Sequence, residues 1–126
     1  MTQSESSPQG VPDGKSATRQ LEEDFGGDIP MVLMVLDVFI ETVPDLLAKL
    51  KAALDQSDIS AAGRVSHSLK GALAQVQAEI PRDLAFEIEQ ACKTGDLKAA
   101  AAPVPELEKT VTDLLREMGI YKLRNG

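Results

Sequence analysis

The stretch Ile59-Ser60-Ala61-Ala62-Gly63-Arg64-Val65-Ser66-His67-Ser68-Leu69-Lys70-Gly71-Ala72-Leu73-Ala74-Gln75-Val76 decides the fold. Ile59, Ala62, Ser66, Leu69, Leu73 and Val76 recur at steps of three, four, three, four and three. That is one continuous stripe along a helix, because residues three and four apart share a face. Ser57 or Asp58 can cap its start.

The same period runs outward in both directions. Upstream, Val32, Leu33, Leu36, Phe39, Ile40 and Val43 form a stripe behind Asp28 as cap and Pro30 in the first turn. Pro44 removes a backbone donor and crowds the carbonyl of Ile40, so a kink or break is expected there. The pattern resumes at Leu46, Leu47, Leu50, Ala53 and Leu54. A shorter helix is predicted from Ala17 to Phe25, stopped by Gly26-Gly27. Downstream, Pro81 opens a helix with an inner face of Leu84, Ile88 and Ala91, ending near Thr94-Gly95. Val104, Leu107, Val111, Leu114 and Met118 mark the last helix, preceded by a short one from about Leu97 to Ala102 and bent at Pro103 or Pro105. No sustained apolar/polar alternation marks a strand. The expected fold is all-α: an up-down antiparallel four-helix bundle with one or two short extra helices, which buries all four stripes at once. The Met31–Met34 segment and the Leu stripes are assigned to the core. Phe86 falls opposite the Leu84–Ile88–Ala91 stripe; it either packs under the first helix or faces a partner, and packing is the expectation. Cys92 is read as a partly or fully buried thiol without chemistry.

With 126 residues, two cores would each be too small, so one domain is expected over residues 17–126. Residues 1–16 are rich in Ser, Gln, Pro, Gly and Asp and read as a flexible tail. The formal charge of −7 argues against nucleic acid and against an anionic membrane surface. Aromatics are only 3%, so stacking on bases has almost nothing to use. One cysteine excludes an internal disulfide and any multi-cysteine zinc site. The longest apolar run, Ile29 to Leu36, is far short of a membrane span, and Met1-Thr2-Gln3-Ser4-Glu5 shows no secretion signal. A cytoplasmic monomer is the expectation.

His67 is the only histidine, and on a helical wheel it lies roughly 130° from the centre of the apolar stripe. Most exposed helical histidines are plain surface residues. This one has glycines four residues before and after it, Gly63 and Gly71, with Arg64, Lys70, Ala74 and Ala78 nearby. Mid-helix glycine costs about 1 kcal/mol relative to alanine, so two of them need a reason. A cleared surface lets another molecule reach the imidazole. An exposed imidazole is largely neutral at pH 7 and can form a covalent intermediate. A phosphoryl group on it would be partly offset by Lys70 and Arg64. A lone histidine without clustered carboxylates gives no metal site.

The segment Val65-Ser66-His67-Ser68-Leu69-Lys70-Gly71-Ala72 closely resembles the histidine phosphotransfer (HPt) motif, His-x-Leu-Lys-Gly preceded by a small residue. The flanks agree over about residues 17 to 120. Gly26-Gly27-Asp28, Phe39-Ile40-Glu41-Thr42-Val43-Pro44-Asp45-Leu46-Leu47, Ser57-Asp58, Ile88-Glu89-Gln90-Ala91 and Gly95-Asp96-Leu97 each resemble a family segment, in order. The resemblance implies a helical bundle that carries a phosphoryl group on His67. Lys70 matches the assisting lysine and Gly71 the access glycine. Gln75 falls where the family often has a small or polar residue near the imidazole. Two positions depart: Gln77 and Ala74 stand where the family has glycine. The implied partners are a response-regulator receiver domain and a sensor histidine kinase, hybrid kinases included, in two-component signal transduction. The chain shows no Gly-rich nucleotide loop. It is therefore expected to be a carrier without kinase activity or cofactor, Mg²⁺ coming with the receiver. The alternative is an HPt-like module that binds a receiver or kinase without accepting phosphate.

Overall fold

The computed structural model describes residues 14–126. Its elements are α1 (Gly14–Asp24), α2 (Ile29–Asp55), α3 (Ile59–Gln75), α4 (Glu79–Lys93), α5 (Leu97–Ala101) and α6 (Val104–Asn125). Residues 1–13 of the expected tail lie outside the described residues, and residues 14–16 open α1. α3 packs between α2 and α4, and α6 closes the ring by packing on α2 and α4. Links of three residues join α2 to α3 and α3 to α4, which makes successive helices antiparallel neighbours. α1 lies against α6, and α5 against α4. Among the described residues no helix is long and apolar enough to cross a membrane.

The buried layer is the set of stripes. Val32, Leu36, Phe39, Val43 and Leu50 meet Ala62, Leu69 and Leu73 of α3, Ala85 and Ile88 of α4, and Leu107, Val111, Leu114 and Met118 of α6. Ser66 sits in this layer because its hydroxyl donates to the carbonyl of Gly63 at 3.0 Å.

Four expectations about these helices are corrected. Of the kink or break expected at Pro44, the break is absent: α2 runs through as one helix. Pro44 is exposed, so water can satisfy the carbonyl freed on that face. Met31 and Met34 lie outside the core, the latter 64% exposed, because α2 turns Val32, Leu36 and Phe39 inward. The inner face of α4 is centred on Pro81, Ala85, Ile88 and Glu89, leaving Leu84 and Ala91 on a half-buried flank. Phe86 does not pack under α1; it is 46% exposed, on the side of α4 that faces Lys70.

One turn geometry recurs at the helix ends. After α3, the amide of Gln77 donates to Ala74 and that of Ala78 to Leu73, the paired bonds that close a helix through a left-handed residue. The residue in that conformation is Gln77, at φ +57. Gly26 and Gly95 take the same position after α1 and α4, and Ser57 after α2. Asp28, Asp58 and Asp96 then cap the next helix through Met31, Ala61 and Ala99. Gln77, where the resemblance leads one to expect glycine, therefore sits at a strained backbone position. We expect Gln77→Gly to raise stability by roughly 0.5–1 kcal/mol, since glycine adopts positive φ without a Cβ clash. A higher urea midpoint with unchanged slope is the measurement.

α1 is tied to the bundle by a contact across 99 residues of sequence. The Tyr121 hydroxyl donates to the Glu22 carboxylate at 2.6 Å. Burial, with this carboxylate as acceptor, pushes the Tyr121 phenol up to about 12.

Candidate functional site

α3 carries His67 on the face opposite its buried stripe, and the side chain is 66% exposed. Lys70 lies one turn further along, partly shielded. Directly beneath, α4 contributes Glu89, whose side chain is 8% exposed. Glu89 joins the site. One carboxylate oxygen, Oε2, lies 2.8 Å from Nδ1 of His67. The other, Oε1, lies 2.8 Å from Nζ of Lys70. That second contact is an ion pair; Oε1 has no well-aligned hydrogen-bond donor. Lys93 stands 4.0 Å from Oε2. The Lys70 ammonium is also 5.2 Å from the centroid of the Phe86 ring, within cation–π range.

The electrostatics follow from these distances. Lys70, then His67, hold the Glu89 carboxyl below its ordinary range, while its burial acts in the opposite direction. Glu89 is therefore an anion at neutral pH, and an anion only accepts. Nδ1 of a neutral His67 must then be the ring nitrogen that donates. The lone pair is left on Nε2, on the ring edge away from Glu89. A buried carboxylate thus selects the tautomer and aims the nucleophilic nitrogen outward.

The two glycines have different roles. A Cβ at Gly71 would meet nothing within 4 Å, so the way to His67 is open on that side. A Cβ at Gly63 would lie 3.3 Å from Cβ of Cys92. Gly63 therefore serves the close approach of α3 to α4, which brings Glu89 under the histidine. Gly63 also lines the cleft beside His67, so this packing role is added to the access expected of it.

Arg64 is exposed and its Nη1 donates to the hydroxyl of Ser60 at 2.9 Å. Gly63, Arg64, His67, Glu89 and Lys93 line a cleft of about 570 Å³ between α3 and α4. Ala74 and Gln75 are exposed on the last turn of α3. Gln75 lines a separate groove of about 310 Å³ with Met31, Met34, Val38 and Ala72, so Glu89 rather than Gln75 is the imidazole's partner. Ala78 is corrected: α3 ends at Gln75, and Ala78 is 5% exposed in the turn just before α4, so it offers a partner almost no surface. Cys92 is partly buried, and burial with the nearby Glu89 charge pushes its thiol up, as expected for a cysteine without chemistry. Among the described residues no group of three or more His, Cys, Asp or Glu is placed to hold a metal ion.

His67, Lys70 and the open side at Gly71 stand where the sequence places them. Glu89 is the site residue that sequence reasoning misses. The available signal is a carboxylate beside Ile88 and one turn after Ala85, on the face of α4 that has to be buried.

A family model described as "Hpt domain" matches residues 34–117. The chain is 26% identical over 115 residues to the phosphorelay intermediate protein rdeA of Dictyostelium discoideum, covering 87% of this chain. It spans about half the length, 45%, of that curated relative. Among solved structures, histidine-containing phosphotransfer protein B (HptB) from Pseudomonas aeruginosa PAO1 has the same fold, with a TM-score of 0.80 at 22% identity. That likeness covers 92% of this chain and 98% of the other.

Proposed function

The chain belongs to the Hpt domain family, and on that premise we propose that it is a phosphorelay intermediate of two-component signalling, with Nε2 of His67 as the acceptor. The observation that carries this reading is the outward Nε2 of an exposed histidine whose Nδ1 is held by a buried carboxylate 2.8 Å away. In the step, Nε2 attacks the phosphorus of an aspartyl phosphate on a receiver domain. The N–P bond forms, the acyl O–P bond breaks, and the receiver's aspartate leaves as a carboxylate. The Nδ1 proton stays on the ring, and Glu89 offsets the positive charge that develops. Reversal onto another receiver's aspartate returns the ring to its neutral form. A sensor histidine kinase is the upstream source of the phosphoryl group.

Phosphoryl transfer needs concentrated positive charge and in-line geometry. Lys70 and Arg64 supply part of that charge; Mg²⁺ and its acidic pocket belong to the receiver. The chain then acts as a carrier and half of an active site, without turnover, nucleotide site or cofactor of its own. It works as a cytoplasmic monomer.

The groove between α2 and α3 fits the docking step. Met34 and Val38, 64% and 65% exposed, form an apolar surface beside Ala72 and Gln75. A receiver that covers this groove brings its aspartate toward His67 across the open side at Gly71. Transfer from a phosphorylated receiver is the test, with Val38→Glu as the probe. The variant is expected to slow transfer about tenfold or more, because a carboxylate would be desolvated in the interface. Its melting temperature should stay unchanged, since Val38 is already in water. Transfer at the wild-type rate would remove the receiver from this groove.

A further inference from the structure

We propose that Arg64, rather than Lys70, grips the phosphoryl oxygens once His67 is modified. The inference rests on the carrier reading and specifies which side chain meets the phosphate. The charges around the ring distinguish the two cations. A phosphoryl group brings about −1.5 to −2 charges to the site. Lys70 is already committed, 2.8 Å from a Glu89 oxygen and over the face of Phe86. Moving it to the phosphate would strip the buried oxygen Oε1 of Glu89 of its cation, leaving only the ring and the distant Lys93 on Oε2. A buried charge that loses one of its two close partners is destabilised. Lys93 is tethered more loosely to the same carboxylate.

Arg64 has no such commitment. Its hydrogen bond goes to the neutral hydroxyl of Ser60 at 2.9 Å, and among the described residues no carboxylate lies within 4.0 Å of it. Ser60 is exposed, so water replaces the guanidinium when it leaves. Arg64 stands three residues before His67, on the same helix surface, and both line the 570 Å³ cleft. Its planar fork can donate to two phosphoryl oxygens at once, which a lysine cannot. Lys70 and Glu89 then hold the ring, while Arg64 trades Ser60 for the phosphate.

The test uses the full chain and phosphoramidate, a small donor whose N–P bond breaks with release of ammonia as the N–P bond to His67 forms. Wild type, Arg64→Gln and Arg64→Lys are compared for the rate of labelling and for the lifetime and ³¹P shift of the phosphohistidine. Arg64→Gln is expected to label about tenfold more slowly, with a shifted ³¹P resonance, and Arg64→Lys to recover part of the rate. Labelling of Arg64→Gln at the wild-type rate with an unmoved resonance overturns the proposal. It does so even if transfer from a receiver is impaired, because Arg64 would then serve docking alone. If wild type takes up no phosphate from phosphoramidate or from any phosphorylated receiver, the carrier reading fails and this inference falls with it.

Discussion

In the variant His67→Gln, no acid-labile, alkali-stable label is expected after incubation with a phosphorylated receiver. The chain has a single histidine, so no second imidazole can take over. The bundle should survive. His67 is 66% exposed and contributes nothing to the buried stripes, so the change in stability is expected to stay within about 0.5 kcal/mol. Glu89 loses one donor but keeps Lys70 at 2.8 Å. Three measurements make the result decisive: radiolabel transfer, thermal melting and receiver binding. An unlabelled variant that melts normally and still binds a receiver assigns phosphoryl chemistry to His67. Label on a chain that has no histidine would mean a different acceptor and would sink the carrier reading. Unchanged relay output in cells that contain only this variant would instead favour a module that binds receivers without accepting phosphate.

The second large effect is expected at Glu89. Glu89→Ala removes the acceptor that holds the Nδ1 proton, so the ring samples the other tautomer and turns freely. Phosphoryl uptake should fall about a hundredfold, the usual reach of acid–base positioning. Glu89→Gln keeps an acceptor oxygen but loses the charge that stabilises the cationic ring, and an intermediate loss of about tenfold is expected. Stability should fall in Glu89→Ala by well under the roughly 3–5 kcal/mol of an orphaned buried charge. Lys70 and Lys93 are both able to turn into water, which accounts for the smaller cost. The pH dependence has a definite sign. The folded-state pKa of Glu89 lies below its ordinary value of 4.5. Its contribution is therefore complete above about pH 4.5 and is lost as pH falls through the lower folded-state value. An acid limb in the stability curve below pH 4.5 that disappears in Glu89→Gln is the measurement. Equal transfer rates for wild type and Glu89→Ala would refute the tautomer assignment.

His67 is legible in the sequence because its evidence is local. A stripe of apolar residues fixes which way a helix faces, and the histidine lies on the other side. The position of Lys70 and the open side at Gly71 follow from the same helix. Met31, Met34 and Phe86 fall elsewhere than expected for the opposite reason. α2 is apolar over a wide arc, and on α4 the apolar residues are few and flanked by charges; in both, the neighbours rather than the period choose the buried sector. On α4 that choice turns Ala85 and Glu89 inward and leaves Phe86 over Lys70. Gln77 is visible as a departure from the glycine expected there. Only the φ of +57 shows that the departure lies in the turn after α3 rather than on the docking surface.

From the order of residues alone come the four long helices, the Gly26-Gly27 stop and the Asp28 cap, the apolar stripes and the outward histidine. All of these depend on contacts within a few turns, which a spacing of three and four residues encodes directly. The pairing of His67 with a carboxylate 22 residues away, the close passage at Gly63 that permits it, and the separation of Lys70 from Arg64 by their partners belong to the packed bundle. They arise between helices, where distance is set by how side chains of two surfaces fit together.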